Sequence, residues 1–325
     1  MKIAFILDPL EKLDPGHDTT VALMEAAREL GHQVWITQAK YLTVIDGKAA
    51  ANLQPLKLIP VSLGEDRWVA VPDWYSVGEP EFLWLENFDA VWMRTDPPVT
   101  IPYLYATYIL DYIDSQKTLV INSPDGIRRA NEKMYALNFV DLMPKTIVTQ
   151  DRQLIRQFVE EHQAAILKPL GGKAGEGILF LQAGDRNLNS LVEISTKRGY
   201  EPVMVQAYLP AAQQGDKRII LLNGEPIGAV NRIPTGSEFR GNMAVGGRVA
   251  VTEITPQEKA LCAKLAPRLR RDGLYFVGID VIGGYLTEVN VTSPTGVREI
   301  DRLYGVSLGR QTMEWLSLQV SQYLR

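Results

Sequence analysis

Three side chains near the C-terminal end carry hard oxygen donors in apolar surroundings: Asp280, Glu288 and Asn290. Phe276–Ile282 and Tyr285–Asn290 read as two strands around Gly283-Gly284. Glu288 and Asn290 are two apart, so strand alternation puts them on one face. Asp280 joins that face if the turn holds an odd number of residues, and a three-residue turn of Gly283, Gly284 and Tyr285 is therefore expected. Carboxylates inside apolar strands are costly to bury without partners. Their oxygen donors suit a hard divalent cation of the Mg²⁺ type bridged to phosphates, and not zinc, which would want the His and Cys this chain barely contains.

Cationic and glycine-rich segments supply what such a cation would accompany. Gly171, Gly172, Gly175 and Gly177 fall within seven residues between apolar runs at Ala165–Lys168 and Ile178–Gln182. Strand, glycine loop, strand is an order that lets backbone N–H groups approach an anion closely. The loop lacks GxxxxGK[ST] spacing, which disfavours the P-loop fold. Lys133 and Lys168 bracket the stretch and can offer point charges to phosphate oxygens. Further on, Asn223-Gly224 between Arg218–Leu222 and Pro226–Asn231 is a hairpin signal that delivers Asp216, Arg218 and Arg232 to one open end. From Ile233 to Arg248 the chain is rich in glycine and arginine and poor in periodicity, the composition of a lid that closes over phosphates.

Elements that must position these groups fall into three parts, 1–122, 123–202 and 203–325. In the first, Ile3–Leu7, Val34–Thr37, Ala90–Met93 and Leu119–Ile121 are short apolar runs, and Thr19–Leu30 is a helical stretch ended by Gly31. This predicts an α/β domain with parallel strands buried on both faces. Ligands gather beyond the carboxyl ends of such strands, where the chain places Asp8-Pro9 and Arg94-Thr95-Asp96-Pro97-Pro98. An Arg suits capture of a carboxylate, and a nearby acid can hold an amino group. Asp46 to Pro80 reads as a β-hairpin insertion. In the last part, Thr255-Pro256-Gln257-Glu258 is a capping box opening a helix that runs to Arg271.

Composition limits the alternatives. The 325 residues are 46% hydrophobic and carry a formal charge of -4, with 34 basic and 38 acidic residues and no long like-charge run. Length calls for more than one domain of about 100 to 200 residues. Neither a nucleic-acid groove nor a membrane surface is indicated. The lone Cys262 cannot form an intramolecular disulfide, and the first apolar run is too short for a signal or membrane segment, so a cytoplasmic protein is expected.

In order, Lys133, Leu167-Lys168-Pro169, the glycine loop, Gln206-Ala207-Tyr208-Leu209-Pro210, Gly215-Asp216-Lys217-Arg218 and Gly278-Ile279-Asp280 through Glu288-Val289-Asn290 resemble the signature of the ATP-grasp superfamily. Met93–Pro98, Arg232-Ile233-Pro234, Arg240-Gly241-Asn242, Gly246-Gly247-Arg248 and Asn290–Glu299 are similar, more narrowly, to the bacterial glutathione synthetase family. The resemblance spans nearly the whole chain. It implies an ATP-grasp fold behind an N-terminal α/β domain, and ATP-dependent joining of γ-glutamylcysteine to glycine through an acyl phosphate. Two Mg²⁺ ions with ATP, for which Mn²⁺ can substitute, would be held by Asp280, Glu288 and Asn290.

The same resemblance implies Gln206, Tyr208 and Leu209 along the adenine, Asp216 near the ribose, and Lys133, Lys168 and the loop glycines at the phosphates. It makes Arg218, Arg232, Arg240 and Arg248 the candidate catalytic residues. Substrate would meet Asp8, Arg94, Asp96, Asn242 and the loop Ser293, Pro294, Thr295 and Gly296. A homo-tetramer is the family expectation. Two alternatives stay open: another ATP-grasp ligase, such as a D-alanine or glutamate-adding ligase, and a non-catalytic nucleotide-binding module.

Overall fold

The computed structural model describes residues 1–173, 175–235 and 247–323. Its N-terminal part contains β1 (Lys2–Ile6), α1 (Thr19–Glu29), β2 (Gln33–Thr37), β3 (Leu42–Ile45), β4 (Lys48–Leu58), β5 (Ser62–Leu63) and β6 (Trp68–Val69). It continues through β7 (Tyr75–Val77), β8 (Glu81–Trp84), β9 (Ala90–Met93), α2 (Ile101–Leu110) and β10 (Leu119–Ile121). Strands β10, β9, β1 and β2 are parallel neighbours in that order. Their runs are buried almost throughout, as continuous apolar strands covered on both faces should be. Asp18 caps α1 by accepting from the Val21 N–H at 2.9 Å.

The 46–80 region is not a separate insertion. β4 pairs antiparallel with β2, β3, β7 and β8 and so carries the main sheet onward; only β5 and β6 form a small hairpin of their own. Two local features hid this. β4 begins Lys-Ala-Ala-Ala, a composition poor in strand formers, and its pairing partners supply the stability that propensity does not. The Asp46-Gly47 turn between β3 and β4, with both residues at positive φ, is the two-residue hairpin signal that marks the start of the extension.

After α3 (Pro124–Arg129) come β11 (Thr146–Thr149), α4 (Arg152–His162), β12 (Ala164–Pro169), β13 (Leu179–Gln182), α5 (Leu188–Ser195) and β14 (Val203–Ala207). They build a four-stranded antiparallel sheet in the order β11-β14-β12-β13. β14 belongs to this sheet, so sheet membership carries the second part to Ala207. Between α3 and β11, Met134–Leu142 is a 3-10 segment that breaks at Phe139, whose φ of -133° is not helical.

The last part is β15 (Asp216–Leu222), β16 (Glu225–Ile233), β17 (Arg248–Ala250), α6 (Pro256–Arg271), β18 (Phe276–Ile282), β19 (Tyr285–Asn290), α7 (Val297–Tyr304) and α8 (Leu308–Tyr323). Its five strands run β17-β16-β15-β18-β19. Both halves of the capping box at Thr255 and Glu258 are present. The N-terminal and C-terminal parts share a core: Val21, Met24 and Trp92 pack in one cluster with Phe276, Ile300 and Met313. Asn122 pins the junction. Its amide donates to the Phe276 and Val291 carbonyls at 2.8 Å and accepts from the Tyr275 and Phe276 N–H groups at 2.8 and 2.9 Å.

Candidate active site

A cleft of about 250 Å³ opens where the two antiparallel sheets and the N-terminal part meet. Lys133, Lys168, Gly172, Gly175, Gln206, Tyr208, Leu209, Asp216, Arg218, Arg232, Asp280, Glu288 and Asn290 all line it, with Asp96, Ser293, Pro294 and Thr295 along the wall formed by the N-terminal part and the 293–296 loop. Residues spread over two hundred positions thus converge because β14, β15, β16, β18 and β19 each end there.

Asp280 and Glu288 face one another across β18 and β19. The expected odd turn is absent: Ile282 pairs with Tyr285, leaving a two-residue Gly283-Gly284 turn with both φ positive. What restores the shared face is a register shift beside Asp280, where Val281 opposes Leu286 but Asp280 opposes Glu288, leaving Thr287 as the extra residue of a bulge. The Thr287 hydroxyl donates to the Asp280 carbonyl at 3.2 Å and holds the bulge in place. A two-residue turn without the bulge would have sent Glu288 to the opposite face.

Asp280 is 2% exposed and held from two sides. Arg218 donates through Nε at 2.5 Å and through Nη2 at 3.1 Å, and Arg232 Nη2 lies 3.0 Å away. Burial alone would push this carboxyl up, but the two guanidiniums outweigh it and hold its pKa well below the usual carboxylate range. Arg232 also donates to Asp216 Oδ2 at 2.7 Å. Asp216 goes the other way: burial pushes its pKa up to about 6, against the pull of Arg232 and with the repulsion of Asp280. Arg218 further donates to the Thr295 carbonyl at 3.1 Å, tying the 293–296 loop to the strand that carries the charge network. Gly278 makes room for it, since a Cβ there would stand 3.1 Å from Arg218 Cδ and 2.9 Å from Pro294 Cβ.

At the other end of the cleft, Lys133 Nζ lies 3.1 Å from Glu288 Oε1 and donates to the Gly172 carbonyl at 2.8 Å, which links the glycine loop to the acidic strand. Burial lowers the Lys168 pKa, while Glu288 and Asp216 pull it back up. Gly172 and Gly177 fit closely: their Cβ atoms would meet the Glu176 carbonyl oxygen at 2.9 Å and Pro169 Cγ at 2.8 Å, and Gly177 is at φ +68°. Gly171, also assigned to this loop, has open space around it. Gln206 is buried and donates to Thr146 Oγ1 at 3.2 Å.

Three of the residues assigned to substrate, Asp8, Arg94 and Gly296, do not line the cleft. Arg94 is 2% exposed, donates to Thr20 Oγ1 and to the Pro294 carbonyl, each at 3.1 Å, and so braces the 293–296 loop from behind. Asp8 accepts from the Asp96 N–H at 2.9 Å and orients the Asp96 backbone. Gly296, at φ +124°, turns the chain into α7 behind Arg218. Arg248 is exposed at the start of β17, opposite Ile233. Arg240 and Asn242, and most of the expected lid, lie outside the described residues.

Glu132 was missed by sequence reasoning. Its Oε1 accepts from the Val291 N–H, the Thr292 N–H and the Thr292 hydroxyl at 2.9, 3.0 and 2.8 Å, fixing the backbone just beyond Asn290. Burial, then the charge of Glu288, raises its pKa. Its position next to Lys133 was the available signal. Ile166, Ile178 and Ile282 were missed as well and form an apolar wall of the cleft.

Two carboxylates and an amide oxygen fit a hard divalent cation. Asp280 has about four lone-pair directions, so it can accept from both arginines and still face a cation, and an amide flip turns the Asn290 oxygen toward Asp280. No cluster of three His, Cys, Asp or Glu side chains is gathered among the described residues. Bound phosphates and water would therefore complete the shell.

This site defines an ATP-grasp enzyme, an ATP-dependent ligase. The model of the prokaryotic glutathione synthetase N-terminal domain matches residues 1–128, and that of its ATP-grasp domain matches residues 132–305. The chain belongs to the prokaryotic glutathione synthetase family. It is 66% identical to the glutathione synthetase of Nostoc sp. (strain PCC 7120 / SAG 25.82 / UTEX 2576) over 97% of this chain and 98% of that protein. With the glutathione synthetase of Brucella melitensis biotype 1 the identity is 41%, over 95% and 96% of the two chains. Among solved structures, a Chryseobacterium gregarium RiPP-associated ATP-grasp ligase superposes with a TM-score of 0.64 at 15% identity, covering 98% of this chain and 97% of that one. D-cycloserine synthetase gives 0.61 at 13%, covering 99% and 100%. These last two likenesses concern the fold alone.

Proposed function

We propose that the cleft phosphorylates the cysteinyl carboxylate of γ-glutamylcysteine with ATP and passes the acyl group to glycine, giving glutathione, ADP and phosphate. The convergence of Lys133, Lys168, Arg218 and Arg232 with Asp280, Glu288 and Asn290 on one cleft carries this reading. Adenine lies between the apolar wall of Ile166, Ile178 and Ile282 and the backbone at Tyr208 and Leu209, with Asp216 toward the ribose. Lys133, Lys168 and the glycine loop take the phosphates. Asp280, Glu288 and Asn290 hold Mg²⁺, for which Mn²⁺ can substitute. When bound, the metal neutralises phosphate charge during transfer.

A substrate carboxylate oxygen attacks the γ-phosphorus as ADP leaves. The glycine amine then attacks the acyl carbon, loses its proton, and phosphate departs. Charge builds on oxygen in both steps, and Arg218 and Arg232 are placed to meet it. Each guanidinium has five N–H donors, so holding a carboxylate does not exhaust it. Glu132, Arg94 and Asn122 keep the 290–296 stretch in place against these arginines. The 293–296 loop receives the glycine carboxylate, and Arg240, Asn242 and Arg248 are proposed to serve the same reaction as donors to substrate and acyl phosphate oxygens. Cytoplasmic residence and a homo-oligomer, a tetramer by family, belong to the same proposal. Ile101, Tyr105 and Tyr108 are exposed along α2, a surface suited to contact between copies. Among the described residues no helix is long and apolar enough to cross a membrane.

Substrate carrying isotopically heavy oxygen in the cysteinyl carboxylate tests the route. Activation through an acyl phosphate moves one heavy oxygen into the released phosphate. Phosphate without the label would show that water, and not the carboxylate, takes the phosphoryl group.

A further inference from the structure

Both carboxylates assigned to the divalent cation already have cationic partners within the chain. Asp280 lies between Arg218 and Arg232. Glu288 lies against Lys133, whose Nζ is 3.1 Å from Oε1. The two partnerships differ in kind. Arg218 and Arg232 are rooted in β15 and β16, in the same sheet as Asp280, and each fork has N–H donors left over. Lys133 belongs to no strand, and its ammonium is a compact point charge at the end of a four-carbon stem.

That ammonium has a second partner, the Gly172 carbonyl at 2.8 Å, so it joins the glycine loop between β12 and β13 to β19. Its root is anchored to both sides. Asn131 Oδ1 accepts from the Lys133 and Met134 N–H groups at 3.2 and 3.0 Å, and Asn131 Nδ2 donates to the Leu170 carbonyl at 3.0 Å. The Glu132 carbonyl accepts from the Val289 N–H at 3.0 Å. With the backbone held in this way, rotation of the lysine stem lets the ammonium change partners without moving either sheet.

An ammonium and a divalent cation compete for one carboxylate. Mg²⁺ takes oxygen ligands at about 2.0 to 2.1 Å, so with Nζ 3.1 Å from Oε1 the like charges would stand within about 5 Å of one another, on a lysine that is only 5% exposed. Phosphate oxygens remove the conflict, because they accept the ammonium and the metal at separate atoms. We propose that Lys133 is a displaceable counter-ion of Glu288: without nucleotide it closes that carboxylate to divalent cations, and bound phosphate draws it away, opening Glu288 to the metal and releasing Gly172 and the glycine loop. The inference rests on the reading of this cleft as a site for nucleotide and metal, and it makes metal entry depend on a side chain of the protein.

Two calorimetric titrations test it apart from turnover, one with Mn²⁺ alone and one with ADP in excess Mn²⁺. Lys133→Gln should move the two affinities in opposite directions. Mn²⁺ alone binds about tenfold more tightly than to the parent protein, because the fraction of Glu288 open to it rises, while ADP binds about tenfold more weakly for want of a phosphate partner. A lysine that only supports the fold would weaken both. Combining Lys133→Gln with Glu288→Gln should abolish the gain, which places the extra ion at Glu288. Mn²⁺ binding that is unchanged or weaker in Lys133→Gln, or a gain that survives the loss of Glu288, overturns the inference and leaves the ligase reading standing. A parent protein that binds no ADP would sink the reading itself.

Discussion

Asp280, Arg218, Arg232 and Asp216 form a chain of alternating charge whose members have opposed proton affinities, and two predictions belong to it. Arg232→Ala removes a donor placed for the charge that develops in transfer. Turnover should fall about 10²- to 10³-fold, with ATP binding by calorimetry far less affected; unchanged turnover removes Arg232 from the chemistry. Asp216 titrates in the folded protein near 6, above its ordinary value of 3.8. The folded state therefore binds this proton more tightly than the unfolded one, and the contribution is stabilising below about pH 4 and lost as pH rises through about 6. Subtracting the melting profile of Asp216→Asn from that of the parent should show a loss confined to this window. A flat difference would mean that Asp216 stays ionised throughout. Asp280 carries the opposite sign, its contribution being lost as acid protonates it.

Gly177 decides the shape of the loop between β12 and β13, because it combines a positive φ with Pro169 packed against it. Gly177→Ala should raise the KM for ATP several-fold and cost about 1 kcal/mol of stability, read by denaturant unfolding. An unchanged KM would free the loop from any part in phosphate binding. This loop was legible in the sequence, since strand, glycines and strand appear in order, and so was the Asn223-Gly224 hairpin that brings Arg218 and Arg232 together. The shared face of Asp280 and Glu288 was legible, but its cause was not. Alternation counts residues between strands, whereas the bulge at Thr287 is a tertiary choice that no local pattern announces. β4 was hidden by its alanines. Arg94 reads from its motif as a ligand for substrate; the contacts that bury it beside Thr20 and Pro294 come from packing that no local pattern announces, and its Nη1 keeps no hydrogen-bond partner among the described residues.

Across the whole molecule, three sheets meet around one cleft, and the C-terminal helices return to the N-terminal core. Val297 and Ile300 pack with Val21 and Trp92, so the loop just before α7 is positioned by both ends of the chain. That arrangement suits a ligase that must hold a nucleotide, a dipeptide and an amino acid in one place and keep water from a reactive acyl group. The purified protein, given MgATP and γ-glutamylcysteine with and without glycine, should release ADP and form glutathione together, and only when all three substrates are present, as followed by mass spectrometry. ADP release coupled to a different amino acid, or ATP binding with no amine-dependent turnover, would contradict the account.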